Sequence, residues 1–310
     1  MTGLFEKGIL ETAQHKPAPT QTSTMQKKLW LVFAAVTTLF WGVWGALIEA
    51  PEKAGFPATL GYSVWALTMI PCAIAALGFA GWKLERDVRS ILLGSTVGLL
   101  GAGGQIVLFQ ALRTAPAYLV FPIVSLYPVL TVALSVSLLG ERASRRSWAG
   151  IVIALIALPL LAYQPPANGT ASGTLWLLGP VAVLVAWGVQ AYVMKFSNQT
   201  MRAESIFFYM MVTALLFIPA AVYLTDFSRP IEWGWRGPWV AALIQVLNSI
   251  GALTLVYAVR YGKAIIVVPM TSLAPVITIV LSLAIYHVIP HAVLVVGMTL
   301  ACAAMYLMAE

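Results

Sequence analysis

Apolar residues occur in long continuous runs along the chain, and short polar segments that carry most of the charges separate these runs. A helix needs roughly 20 apolar residues to cross a hydrocarbon core of about 30 Å. No run shows the strict alternation that is typical of a membrane β-strand. The pattern predicts an all-α integral membrane protein with ten transmembrane helices, at residues 29–50, 58–80, 91–112, 117–139, 147–163, 174–195, 204–225, 238–259, 264–286 and 291–309.

The polar segments give the orientation of these spans. Residues 1–28 precede the first run, are polar with KPAPTQTST in the middle, and predict a flexible tail. Fourteen of the Lys and Arg residues lie in this tail and in alternate loops, whereas only four lie in the remaining loops. Because positively charged loops stay in the cytoplasm, we expect a multi-pass protein of the cell (inner) membrane with both termini cytoplasmic.

Composition excludes a soluble protein. Hydrophobic residues make up 60% of the chain and charged residues 9%, against roughly 45–50% and 25% in soluble domains. The net charge of +7 follows from the loop positions and gives no reason to expect nucleic acid as a partner. Cys72 and Cys302 lie inside apolar runs and predict buried thiols rather than a disulfide framework.

The chain contains an internal repeat. FPIVSLYPVLTVALSVSLLGE, residues 121–141, recurs 147 residues later as VPMTSLAPVITIVLSLAIYHV. Between 109–139 and 256–286, 12 of 31 positions are identical, and at an offset of 146 the Trp-Gly-Val at residue 41 meets that at residue 187. The sequence therefore predicts two five-helix repeats, 29–163 and 174–309. Because five is odd, the second repeat is inverted, as in many transporters.

Prolines recur at matched positions of the fourth and ninth spans. A proline inside a helix costs about 3 kcal/mol or more, and membrane helices tolerate it where neighbours or an aqueous cavity satisfy the backbone. We therefore predict that these two helices line a pathway and bend to gate it, at Pro122, Pro128, Pro269 and Pro275. The alternative is that prolines are simply frequent in membrane helices.

Polar and aromatic side chains lie within several of the spans. An amide in hydrocarbon must contact another helix or an aqueous cavity, so each residue has a structural and a binding interpretation. As a set they predict an uncharged cavity for a small neutral, zwitterionic or amphipathic molecule. The substrate-binding candidates are Trp41, Trp44, Gln105, Gln110, Ser125, Tyr127, Trp187, Gln190, Asn248, Tyr257 and Ser272.

Several kinds of chemistry are not expected. No Asp or Glu lies in the middle of a predicted span, which argues against a buried carboxylate as proton carrier. The predicted spans also lack a central cluster of Arg or Lys, which a phosphate-bearing cargo would require. No catalytic residues, metal site or cofactor are predicted, so we do not expect an enzyme.

Residues 111–161 resemble the signature half of the EamA family, in the drug/metabolite transporter superfamily. The resemblance rests on Ala111, Pro128, Leu139-Gly140-Glu141 and Gly150. The second half keeps Ala258, Pro275 and Gly297 but has Tyr286-His287-Val288 in place of Leu-Gly-Glu. The resemblance implies ten helices in two inverted halves, a central cavity, and efflux of amino acids or other metabolites.

The leading hypothesis is a secondary transporter of a small amino-acid-like or amphipathic metabolite, working by alternating access. Export is favoured over uptake by the family resemblance alone. An importer of a sugar or another neutral nutrient is the alternative within transport, and a non-transporting receptor or scaffold is the alternative from another class. The expected partners are the lipid bilayer and a small-molecule substrate, and a homodimer is compatible with such a chain.

Overall fold

The computed structural model describes residues 21–115, 117–163, 175–286 and 291–309. These residues form helices and no strands. A 3₁₀ turn at Leu175–Leu177 and a π-helical turn at Trp235–Trp239 each lead into a longer helix. The α-helices are α1 (Gln21–Leu47), α2 (Glu49–Lys53), α3 (Ala58–Phe79), α4 (Val88–Thr114), α5 (Ala117–Val124), α6 (Tyr127–Leu139), α7 (Arg145–Leu161), α8 (Leu178–Ser197), α9 (Ala203–Leu216), α10 (Ile218–Tyr223), α11 (Val240–Tyr261), α12 (Ala264–Thr271), α13 (Pro275–Tyr286) and α14 (Ala292–Met308).

The all-helical membrane architecture predicted from hydropathy is confirmed. In the described part of the chain, 7 helical segments are long and apolar enough to cross a membrane, and α6 and α14 are shorter apolar helices. The first helix begins at Gln21, inside the predicted polar tail. Residues 1–20 of that tail lie outside the described residues.

The fourth and ninth predicted spans are each divided into two helices, α5–α6 and α12–α13. At both breaks the backbone tightens to i→i−3 hydrogen bonds, from Val129 to Leu126 (2.9 Å) and from Val276 to Leu273 (3.0 Å). Pro128 lies in the first turn of α6, and Pro275 is the first residue of α13. A first-turn proline removes no helical hydrogen bond. Pro128 and Pro275 therefore begin new helices, which corrects the expectation of continuous bent helices.

Equivalent helices of the two repeats make equivalent contacts. Helix α1 packs on α11 and α13, and its counterpart α8 packs on α4 and α6. Helices α7 and α14, which end the two repeats, pack on each other, and α3 packs on α9 in the same reciprocal way. This pattern is that of two inverted repeats related by a pseudo-two-fold axis.

Two equivalent glycines allow the repeats to approach closely. A Cβ on Gly42 would lie 2.8 Å from Ile277 Cγ2 and 3.0 Å from the carbonyl oxygen of Ala274. A Cβ on Gly188 would lie 2.8 Å from Leu130 Cβ and 3.0 Å from a carbonyl oxygen of the other repeat, that of Tyr127. Small residues bring backbones together in this way because lipid supplies no hydrophobic force between helices.

We predict that Gly42→Ala and Gly188→Ala each destabilise the protein by about 1–3 kcal/mol, because the added methyl group meets a rigid neighbour. Gly103→Ala is the matched control, because its Cβ would have only ordinary contact with Phe217 at 3.5 Å. Thermal unfolding of purified protein in detergent measures the effect. Equal unfolding temperatures for all three variants would contradict this account of the packing.

Candidate functional site

The two repeats meet where α1 contacts α13 and where α6 contacts α8, and we call these two contacts the seam. An equivalent hydrogen bond is present at each of the two contacts. Thr278 Oγ1 donates to the Gly42 carbonyl at 2.9 Å, and Thr131 Oγ1 donates to the Gly188 carbonyl at 2.9 Å. Because the two threonines are 147 residues apart, the sequence repeat corresponds to a structural one.

The tryptophans that precede these glycines contact the neighbouring long helices. Trp41 Nε1 donates to the Asn248 carbonyl of α11 at 3.4 Å, and Trp187 Nε1 donates to the Gly101 carbonyl of α4 at 3.2 Å. A Cβ on Gly251 would lie 2.5 Å from Trp41 Nε1. In this conformation both indoles therefore hold helices together.

Tyr127 and Ser272 meet across the repeats at the helix breaks. Their hydroxyl oxygens lie 2.7 Å apart, and the rings of Tyr127 and Trp187 form a T-shaped pair with centroids 5.9 Å apart. Ser125 lies at the α5–α6 break and is half-buried. Four of the predicted binding residues, from three spans, thus lie at or beside the breaks.

A second polar group lies between α1 and α11. Trp44 Nε1 donates to Gln245 Oε1 at 3.0 Å, and the Asn248 amide reaches the same oxygen at 3.4 Å. Gln245 is 4% exposed, so this amide is satisfied inside the bundle. The side chain of Gln190 packs over Gly101, at the place where a Cβ would lie.

The remaining predicted residues lie apart from these groups. Tyr257 donates its hydroxyl hydrogen to Glu204 Oε1 at 2.6 Å, near the start of α9. On α4, Gln105 is half-buried and Gln110 is exposed. Pro269 is buried within α12, and the side chain of Pro122 lies outside the described residues.

Helix α3 supplies two polar groups that are not among the predicted site residues. Trp65 Nε1 and Ser63 Oγ are buried without a hydrogen-bond partner among the described residues. Trp65 packs edge-on against Tyr62, with ring centroids 5.3 Å apart. An unpaired buried donor costs about 1–3 kcal/mol, so such a group marks a place for a water or a ligand. The available sequence signal was a serine and a tryptophan two residues apart within an apolar run.

The polar side chains described at the seam and between α1 and α11 are hydroxyls, amides and indoles, and none carries a charge. Across the described ranges, no group of three or more His, Cys, Asp or Glu is placed to hold a metal ion. The arrangement can offer hydrogen bonds and aromatic faces to a small molecule. It has the class features of a helical membrane protein made of two inverted repeats around a polar, uncharged seam.

Comparison with known proteins identifies the family. The model of the EamA-like transporter family matches residues 28–163 and again residues 172–309. The chain belongs to the EamA-like transporter family, a family of membrane transporters, and the resemblance seen in residues 111–161 is confirmed.

Solved structures support the fold, and 29 of their chains match this one. One, described as the crystal structure of a protein, has a TM-score of 0.71 and 20% sequence identity, covering 89% of this chain and 97% of the other. At that identity the likeness shows the fold alone. No curated protein matches the chain.

The unpaired indole of Trp65 gives a test. We predict that Trp65→Phe leaves stability within about 0.5 kcal/mol, because removal of a donor without a partner offsets the packing lost with the smaller ring. Trp44→Phe should cost about 1 kcal/mol through loss of its bond to Gln245. Thermal unfolding of both variants compares them, and an equal loss in Trp65→Phe would show that its N–H is paired.

Proposed function

We propose that the chain is a secondary transporter of a small amino-acid-like or amphipathic metabolite that works by alternating access. The family is one of transporters, and inverted repeats of this kind place a substrate site near the middle of the membrane. Export is the favoured direction on the family resemblance. The two inverted halves would open in turn to opposite sides.

The proposal includes ten membrane crossings. Seven segments qualify by length and composition among the described residues, and the paired helices α5–α6 together with the 17-residue helices α7 and α14 would supply the other three. With ten crossings and the unequal distribution of Lys and Arg, both termini would lie in the cytoplasm of an inner-membrane protein.

The matched breaks of α5–α6 and α12–α13 carry the proposal. Two equivalent helices are interrupted at the same register, and the breaks are joined by the contact between Tyr127 and Ser272 at 2.7 Å. Non-helical backbone at membrane depth is tolerated where it is buried in protein or lines an aqueous cavity.

The chemistry beside the breaks supports an uncharged or zwitterionic cargo. Tyr127 and Ser272 offer hydroxyls, and Trp187 offers an aromatic face beside them. Indole faces also attract cationic groups, by about 0.5–2 kcal/mol. An amine or an amino acid would use both kinds of contact, whereas an anionic phosphate would meet none of the charged partners that it requires.

A metabolite screen tests the function. We expect at least one amino acid or amine to raise the unfolding temperature of purified protein, since a ligand at 100 times its Kd stabilises by about 2.7 kcal/mol. The same compound should undergo counterflow in proteoliposomes. Binding without counterflow would instead favour a receptor, and the absence of any ligand would favour a scaffold.

The breaks themselves are tested by Pro128→Ala and Pro275→Ala. Each removes a helix start and favours a continuous helix, so we expect counterflow to slow by about tenfold, equivalent to 1.4 kcal/mol. Pro71→Ala, in the uninterrupted and exposed part of α3, is the control and should transport normally. Wild-type rates in both break variants would remove the gating role of the prolines.

A further inference from the structure

An acidic residue of the first repeat caps a helix of the second. Glu141 follows α6 after Gly140, whose left-handed φ of 63° turns the chain. Its Oε1 accepts from the Ala264 amide at 3.1 Å, and its Oε2 accepts from the Ile265 amide at 3.0 Å. Lys263, which precedes α12, supplies no side-chain cap. The start of α12 therefore takes its cap from the opposite repeat, where a negative charge is favourable.

A lysine of α8 completes this contact. Lys195 Nζ donates to the carbonyls of Val259 at 2.9 Å and of Gly262 at 2.5 Å. It lies 3.8 Å from Glu141 Oε1, and the two side chains are only 16% and 9% exposed. We call Glu141, Lys195 and the backbone groups they bind the latch. It joins the turn after α6, the end of α8 and the α11–α12 junction.

A second ionic contact lies at loops predicted to be on the same face of the membrane. Arg202 Nε lies 3.4 Å from Glu85 Oε1, and Ser205 donates its hydroxyl hydrogen to the same carboxylate. Tyr209 donates its hydroxyl hydrogen to the Glu85 carbonyl at 2.6 Å. The loop before α4 is thus joined to the start of α9. Both contacts link one repeat to the other on the predicted cytoplasmic side.

The internal repeat shows that the opposite face is built differently. At the offsets of the repeat, Glu141 corresponds to Val288, and Lys195 corresponds to Glu49. Glu49 pairs within its own helix with Lys53 at 2.7 Å, and both side chains are more than half exposed, at 63% and 61%.

The residues equivalent to the second ionic contact do not form an ion pair with each other. Glu85 corresponds to Glu232 and Arg202 to Gly55, and this pair is joined by a backbone bond from Glu232 N to the Gly55 carbonyl at 3.2 Å. The two repeats are thus in contact at equivalent positions on both faces. Among the described residues, however, buried charged side chains connect the repeats on one face only. Within the described part of the chain, a buried ionic contact between the repeats is thus a feature of one face, which is what a closure specific to that face requires.

We propose that the latch holds the protein closed on its cytoplasmic face and must open in every transport cycle. This inference rests on the proposed alternating access and adds a bias to it: the state closed to the cytoplasm is the more stable one. When the repeats separate on that face, Glu141 leaves α12 and Lys195 loses its partner. Both charges then pass into water, so that opening is achievable.

Sided labelling tests the latch without knowledge of the substrate. Ser272→Cys, in full-length protein carrying Cys72→Ala and Cys302→Ala, serves as a reporter at the α12–α13 break. A charged, membrane-impermeant methanethiosulfonate reagent is applied to inverted vesicles, whose outer surface is the cytoplasmic face. We expect Glu141→Gln and Lys195→Met each to speed labelling by about tenfold, because removal of either partner opens the same latch.

Three further variants keep the test specific. The double variant Glu141→Gln/Lys195→Met should label no faster than the singles, since the residues act as one unit. Glu49→Gln, at the position equivalent to Lys195, should label at the unmodified rate. If Glu141→Gln does not fold, Glu141→Asp, which keeps the charge on a shorter side chain, should give an intermediate rate.

The outcomes separate the two proposals. Equal labelling rates in the unmodified latch and in all latch variants would overturn the latch while leaving alternating access in place. Slower labelling in the variants would overturn it equally. A reporter that no variant exposes to reagent from either face would contradict alternating access itself, and the latch with it.

Discussion

The structure depends on the close backbone contact between the two repeats at Gly42 and Gly188. Helices in lipid gain little from hydrophobic association, so short-range packing and hydrogen bonds must hold them together. At these glycines the helices come near enough for Thr278 and Thr131 to donate to main-chain carbonyls at 2.9 Å. Any larger residue would separate α1 from α13 and α8 from α6. It would also displace the breaks of α5–α6 and α12–α13, which lie beside these contacts.

The symmetry of this contact and the asymmetry of the membrane faces together suggest how such a protein works. The two contacts of the seam are equivalent, because each pairs a glycine carbonyl with a threonine hydroxyl at 2.9 Å. The latch of Glu141 and Lys195 lies on one face only and is nine-tenths buried on its acidic side. Under the proposed alternating access, a symmetric body with an asymmetric latch would have two related conformations of unequal stability.

Much of the fold was predictable from sequence because lipid imposes a simple length rule and because the repeat preserves its prolines. The division of two spans was not, since Pro128 and Pro275 are compatible either with a bent helix or with a new helix start. The roles of Trp41 and Trp187 were also hidden, because their acceptors are main-chain carbonyls on distant helices. The latch was hidden for the same reason: 123 residues separate Glu141 from Ala264, and no spacing rule connects them.

Inversion of the repeats is tested most directly by labelling two equivalent exposed loop positions from each side of the membrane. Lys83 and Pro230 are 147 residues apart, and both are exposed. With a single cysteine at either position, the account predicts that an impermeant thiol reagent modifies residue 83 only from the cytoplasmic side and residue 230 only from the opposite side. Modification of both cysteines from the same side would mean that the repeats are parallel, and the structure described above would be incorrect.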